Sequence, residues 1–262
     1  MVFHSERMNN CNRFFNLTQA LVYREIASRY RRSVLGPLWA LLQPLLLMVV
    51  FTLLRGVIEI PSEGVPYVIF SYSALVPWTF FTSSLTRCGP SIISNGNLIK
   101  KINMPREVFP VSAVVASFFD FIMSSIILAG MMVYYMVPVG VELLWLPVLL
   151  VITGVLAFDV GMLIASIGCF RRDIVIATPF LVQIWLFATP IIYPTSSVPD
   201  KWVWLYKINP MVGIIEGFRN VLVKGQGPNL ELLTFSIIVT LCLLVFSWPI
   251  FRWLSQYFAD VL

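Results

Sequence analysis

Apolar runs free of charge recur along the chain, separated by short polar clusters. Ser33–Leu54 and Val65–Thr86 hold no charged residue. Neither does Phe121–Val141, a run that extends back through Asp120 to Val108. Leu143–Phe170 is broken only by Asp159, and Ile174–Pro199 and Leu232–Phe251 complete the series. Each reaches the ~20 residues that cross about 30 Å of hydrocarbon at 1.5 Å per residue. Lipid offers backbone groups no partner, so such runs must be helical. They are continuous rather than alternating, which excludes a β-barrel. The pattern predicts an all-α polytopic membrane protein. An N-terminal segment, 1–33, precedes a six-helix transmembrane domain, 34–262, with spans at 34–54, 65–86, 108–136, 143–169, 174–193 and 232–251.

Composition agrees. Of 262 residues, 58% are hydrophobic and 12% charged, and mean hydropathy is +0.85. A soluble fold would expose too much apolar area. The single histidine, His4, and the absence of C-x-x-C exclude a zinc-histidine site. Cys11, Cys88, Cys169 and Cys242 show no paired spacing. Most of the 18 Lys and Arg fall on one side of the predicted spans. Only Arg55, Lys201, Lys207, Arg219 and Lys224 fall on the other. The positive-inside bias then puts both termini in the cytoplasm. No cleavable signal is expected, because the first apolar run follows a long basic segment.

Three polar segments carry candidate roles. On a helix, Phe15, Val22, Ile26 and Tyr30 share one side, and Arg13, Arg24 and Arg31 gather opposite, with Arg32 next in line. This predicts an amphipathic helix on the cytoplasmic leaflet, with a plain stop-transfer charge cluster as the alternative. Asn97–Met104 predicts a short helix capped by Asn97 and stopped before Pro105. Its apolar Leu98, Ile99 and Ile102, flanked by Lys100, Lys101 and Arg106, would dock on a partner or touch lipid. The outer segment, 196–228, predicts two short re-entrant helices. Trp202 and Trp204 would fix its depth, and Asn209 and Pro210 would begin the second helix. Gly213 and Gly217 would allow close packing there, and Arg219 adds positive charge.

Within the spans, Asp120 and Asp159 fall near mid-membrane on consecutive antiparallel helices, with no base at the same depth. They would line a path, or pack through Ser117, Ser124 or Thr153. Proton coupling finds no further titratable groups to support it. The motif G-x-x-x-x-G-K-[ST] is absent, so the chain is not expected to hydrolyse ATP.

The order Tyr23-Arg24-Glu25-Ile26, Arg29–Trp39 and Leu42-Gln43-Pro44 resembles the N-terminal signature of ABC-2 type polysaccharide exporter permeases. Leu98–Glu107, Phe170–Ile174, Phe187–Tyr193, Asn209-Pro210-Met211 and Phe218-Arg219-Asn220 are similar to later blocks of that family, in family order. The resemblance implies a homodimer with two copies of a separate ATPase. It places no cofactor on this chain, since ATP and Mg belong to the partner, and it implies no nucleic acid. In that family the first cytoplasmic loop supplies a coupling helix. The cargo is a lipid-linked polymer crossing the inner membrane: O-antigen first, with capsular polysaccharide or teichoic acid as alternatives. Trp39, Tyr72, Trp78, Phe118 and Trp185, with the two aspartates, are the candidate path. For each aromatic the alternative is packing or interface anchoring. A secondary carrier would show an internal repeat, and a glycan-processing enzyme a polar cluster at one leaflet; neither pattern is evident.

Overall fold

The structure is a computed structural model that describes residues 2–31, 33–102, 104–138 and 140–262. The chain runs through α1 (Val2–Tyr30), α2 (Leu38–Ile58), α3 (Tyr67–Ser94), the short α4 (Gly96–Lys101) and α5 (Val108–Tyr134). A 3-10 turn, Val141–Trp145, leads into α6 (Leu146–Phe170), followed by α7 (Arg172–Phe187). Then come α8 (Asp200–Ile208), α9 (Pro210–Arg219), α10 (Leu230–Ser255) and α11 (Phe258–Val261).

Five helices among the described residues are long and apolar enough to cross a membrane: Leu38–Val57, Tyr67–Ser94, Val108–Tyr134, Val141–Phe170 and Leu230–Ser255. The chain is an all-α polytopic membrane protein. The run expected at 174–193 forms α7, whose 16 residues rise ~24 Å. It stops before Pro190, because proline disfavours helical backbone in the residue preceding it.

Two boundaries move in ways that matter. Hydropathy ends the second run at Thr86, yet α3 continues to Ser94 and carries Arg87 inside the bundle. α2 extends past the expected end and takes in Arg55, whose guanidinium lies 5.0 Å from the Tyr67 ring centre. An arginine in a last helical turn sits favourably beside the unpaired carbonyls.

α3 forms the axis of the fold. Of its most apolar stretch 83% is buried, against 17% for α2, so α2 is a flank. α1 packs along α5 largely through a stripe other than the expected one, from which Tyr30 alone reaches Asp120 and Phe119. Leu21 is buried with Ile92 and Phe109, and Phe14 and Leu17 lie against that cluster, whereas Phe15 is 66% exposed. Two apolar stripes compete on α1, and its contact with the bundle selects the one that tertiary packing covers. α4, α11 and the middle of α1 share one end of the bundle; α8 and α9 lie at the other.

Candidate functional site

A groove of about 570 Å³ opens between α2, α3 and α7. Its floor is a stripe on α3, Thr79, Thr82, Ser83 and Thr86, at the spacing that puts residues on one helix face. These hydroxyls donate to carbonyls of their own helix: Thr79 to Val76, Thr82 and Ser83 to Thr79, Thr86 to Thr82. Their lone pairs remain as acceptors along the floor. Gln43 from α2 and Gln183 from α7 add amides to the walls, beside Val50, Leu54 and Phe187. The groove is polar at its base and apolar at its rims. The Thr/Ser stripe is written in the sequence at 79, 82, 83 and 86, yet a hydropathy average hides it.

Arg87, which lines this groove, pairs with Asp120, and the expectation that Asp120 has no base at its depth is overturned. Arg29 Nη1 and Arg87 Nη2 reach Asp120 Oδ2 at 2.6 and 2.5 Å, and the Tyr30 hydroxyl donates to Oδ1 at 2.5 Å. Arg87 Nη1 also donates to Ser117 Oγ at 3.1 Å. Burial first, then the hydrogen bond to Asp120, raises the Tyr30 phenol above its ordinary value, so it stays a donor. Counting charge from each run's edge placed both arginines in the cytoplasmic segments that flank the spans. Instead the longer α3 carries Arg87 inward, and the end of α1 brings Arg29 alongside α5. The cluster also ties α5 to the first turn of α2, since Ser124 Oγ donates to Ala40 O at 2.9 Å.

Asp159 has a different setting. It is fully buried, accepts only a 3.4 Å hydrogen bond from Ser247 Oγ on α10, and leaves Oδ2 without a partner. Thr153, expected as a packing partner, donates to Leu149 O instead, whereas Ser117 and Ser124 on α5 stay with Asp120: Ser117 accepts from Arg87 and Ser124 donates to Asp120 O.

The aromatic candidates do not converge. Tyr72 is buried and donates to Ser124 O, and Trp78, only 2% exposed, packs 5.7 Å from Phe81. Phe118 stacks on Phe121 at 5.8 Å. Trp39 is half-exposed beside Gln43, and Trp185 lies at the opposite end of the bundle. Packing inside the chain has claimed Tyr72 and Phe118, and Trp78 shows the groove only an edge.

At that opposite end Asn209 caps α9. Its Oδ1 accepts from Met211 N and Trp185 Nε1, and its Nδ2 donates to Ala188 O and Thr189 Oγ1. Pro210 occupies the first helical position. All ten residues of α9 are buried. A Cβ at Gly213 would collide with the Leu232 carbonyl oxygen, and one at Gly217 would come 2.8 Å from Leu149 Cδ2. Each glycine therefore serves a different neighbouring helix. Arg219, expected as a cationic lining, is fully buried. It donates to Pro190 O and Ile191 O at 2.8 and 3.2 Å, pairs with Glu216 at 3.3 Å and lies 3.9 Å from the Phe70 ring centre. A carbonyl-rich turn and an aromatic face replace water around its terminal nitrogens, while Nε has no hydrogen-bond partner among the described residues.

Glu216 also meets Lys224, which pairs with Glu63 at 2.7 Å. Burial alone would raise the Glu63 carboxyl. Hydrogen bonds from Lys224 and Ser196 outweigh it and hold the group below its ordinary value. Trp202 and Trp204 on α8 are 47% and 60% exposed, and Trp202 borders a cavity of about 880 Å³ with Trp185, Tyr193 and Tyr206.

The short helix after α3 also differs from expectation. It spans Gly96–Lys101, starting one residue before and ending three residues before the expected Asn97–Met104, and Asn103 lies outside the described residues. Asn95 stands at its start, already engaged by Arg24 and by Ser91 O. Ile99 is 5% exposed, packed in the chain's own cluster with Phe258, so it is not a free docking residue. Lys100, Lys101 and Ile102 are exposed; Leu98 and Arg106 are half-buried. Arg31 is exposed, and Arg32 lies outside the described residues.

A family model described as ABC-2 type transporter matches residues 16–223. The chain is 28% identical over 258 residues to a Klebsiella pneumoniae protein named O-antigen export system permease protein RfbA, covering 97% of each. It is 30% identical over 245 residues to the Myxococcus xanthus protein of that name, covering 92% of this chain and 93% of the relative. Similarity extends to the Escherichia coli polysialic acid transport protein KpsM, 26% identical over 233 residues and covering 85% and 88%.

Proposed function

The chain belongs to the ABC-2 type transporter family, as a membrane transport subunit, and from that premise we propose that it conducts a lipid-linked polysaccharide, O-antigen first, across the inner membrane. The observation that carries this reading is the α2–α3–α7 groove, a hydroxyl and amide floor between two apolar rims. A glycan cannot cross hydrocarbon unshielded, because each unpaired polar group costs several kcal/mol. Lone pairs on Thr79, Thr82, Ser83 and Thr86 would accept from sugar hydroxyls one after another, without a tight site. The least buried of the five long apolar helices, α2, and the exposed residues Phe180, Leu181 and Ile184 of α7 would meet a second copy, closing two grooves into one channel.

In this reading α7 with the following turn is the fifth of six spans, and both termini are cytoplasmic. α8 and α9 form the outer mouth, and the interface role of α1 belongs to its exposed face. Two copies of a separate ATPase hold ATP and Mg. They push on α4 through Lys100, Lys101 and Ile102, while Ile99 anchors that helix to the bundle. A capsular polymer is the alternative cargo, supported by the similarity to polysialic acid transport proteins.

Expression with its ATPase in a strain lacking its own exporter tests the reading. Surface polymer should appear, and Gln43→Leu with Gln183→Leu should reduce it while ATPase co-purification persists. Ile102→Asp should weaken co-purification. Assembly with the ATPase but no surface polymer of any class would overturn the assignment.

A further inference from the structure

Three cavities meet at Arg87. A polar one of about 280 Å³ lies under α1, lined by Arg24, Glu25, Ser91 and Asn95. A small one of about 150 Å³ is walled by Arg29, Tyr30, Trp39, Gln43 and Asp120. The third is the groove itself, and Arg87 lines all three. The junction holds two guanidiniums against one carboxylate, because Arg24 and Glu25 offset each other. One positive charge is left over. Arg29 Nη2 is enclosed and has no hydrogen-bond partner, although its neighbour Nη1 is engaged by Asp120. A buried guanidinium nitrogen without an acceptor is expensive, and an anion beside it would remove that cost.

We propose that Arg29 and Arg87 form a binding site for the phosphate group of a lipid headgroup, with Asp120 as the internal counterion that holds the arginines in place when the site is empty. Arginine forks match phosphate oxygens in pairs. From this junction the groove continues along Leu47, Val50 and Leu54, apolar residues on which the lipid chain would lie. The lipid is therefore bound at its charged end and guided at its apolar end. The export reading bears only on which lipid this is: a polyprenyl diphosphate if the cargo carrier enters here, a phospholipid if the bilayer supplies it.

Purified full-length protein in neutral phosphatidylcholine nanodiscs, without ATPase, separates these points from the export reading. Retention of radiolabelled undecaprenyl diphosphate is measured, with inorganic diphosphate and phosphatidylglycerol as competitors. Arg29→Gln and Arg87→Gln should each weaken binding about tenfold, the loss of one charge-assisted contact, and Arg87→Lys should weaken it less. Asp120→Asn should move the other way and tighten binding several-fold, since it removes the competing carboxylate. Thermal unfolding of each variant in the same discs checks that it is folded. Competition by phosphatidylglycerol equal to that of the diphosphate lipid assigns the phosphate to the bilayer; weak competition assigns it to the carrier. Unchanged binding in the arginine variants, or a loss in Asp120→Asn parallel to theirs, would mean the cluster only joins helices and would sink the proposal.

Discussion

Asp120 and Asp159 look equivalent in the sequence and have opposite surroundings in the structure. Asp120 draws three donors, two of them cationic, from α1 and α3, and a small cavity adjoins it. Asp159 sits between α6 and α10 with one serine, and no ion pair reaches it among the described residues. A carboxylate between elements that carry arginine becomes a junction. One between two apolar helices becomes a packing contact. Depth is the same input in both cases, and the neighbours decide.

Removing Asp120 should produce the largest effect. Asp120→Leu leaves two largely buried guanidiniums without their counterion, and loss of one partner of such a set costs about 3–5 kcal/mol. Thermal unfolding in detergent should show a large drop in midpoint. A drop no greater than for Asp159→Leu would erase the contrast. Adding Arg87→Met to Asp120→Leu should restore about 1–2 kcal/mol, because the two residues touch and their effects do not add. A double variant less stable than Asp120→Leu would show that Arg87 is held mainly by Ser117.

Asp159→Asn should change stability by less than about 1 kcal/mol, since one weak hydrogen bond is kept and no cation is lost. Equal destabilisation by Asp159→Asn and Asp120→Asn would reveal a partner for Asp159 beyond Ser247. The smallest effect concerns Glu63, an acid with a cation but also with solvent. Its folded value is lowered, so its contribution is complete above the ordinary value of 4.5 and fades as pH falls through the depressed value. Unfolding midpoints of wild type and Glu63→Gln should differ by a constant amount between pH 5 and 7, by less than about 1 kcal/mol, and converge in stronger acid. A difference that grows on acidification would reverse the sign.

These contrasts also mark what the amino-acid pattern reveals. Five spans are legible because charge-free runs of sufficient length have no other home. The cap at Asn209 and the close approach at Gly213 and Gly217 are legible because local chemistry dictates them. The partners of Asp120 are not, since α3 outlasts its hydropathy signal and the path of α1 is set by tertiary packing. Arg219 misleads for the same reason: as a charge near an outer turn it reads as exposed, and only the carbonyls of Pro190 and Ile191 with the ring of Phe70 explain its burial. Ile99 belongs to the same class, an apolar residue in a basic loop whose cover comes from α11.

The complete burial of α9 bears on how the chain is made. Its walls are α3, α6 and α10, and Gly213 abuts the Leu232 backbone. Two of those walls emerge from the ribosome before α9, but α10 follows it. Until Leu230–Ser255 is synthesised and inserted, the Gly213 face of α9 has no cover, although Glu216 and Arg219 already have Phe70, Pro190 and Ile191 beside them. The most tightly enclosed helix is thus the last to be sealed. Any agent that surveys nascent membrane proteins for an uncovered helix face has an opportunity here, in the interval between α9 and α10.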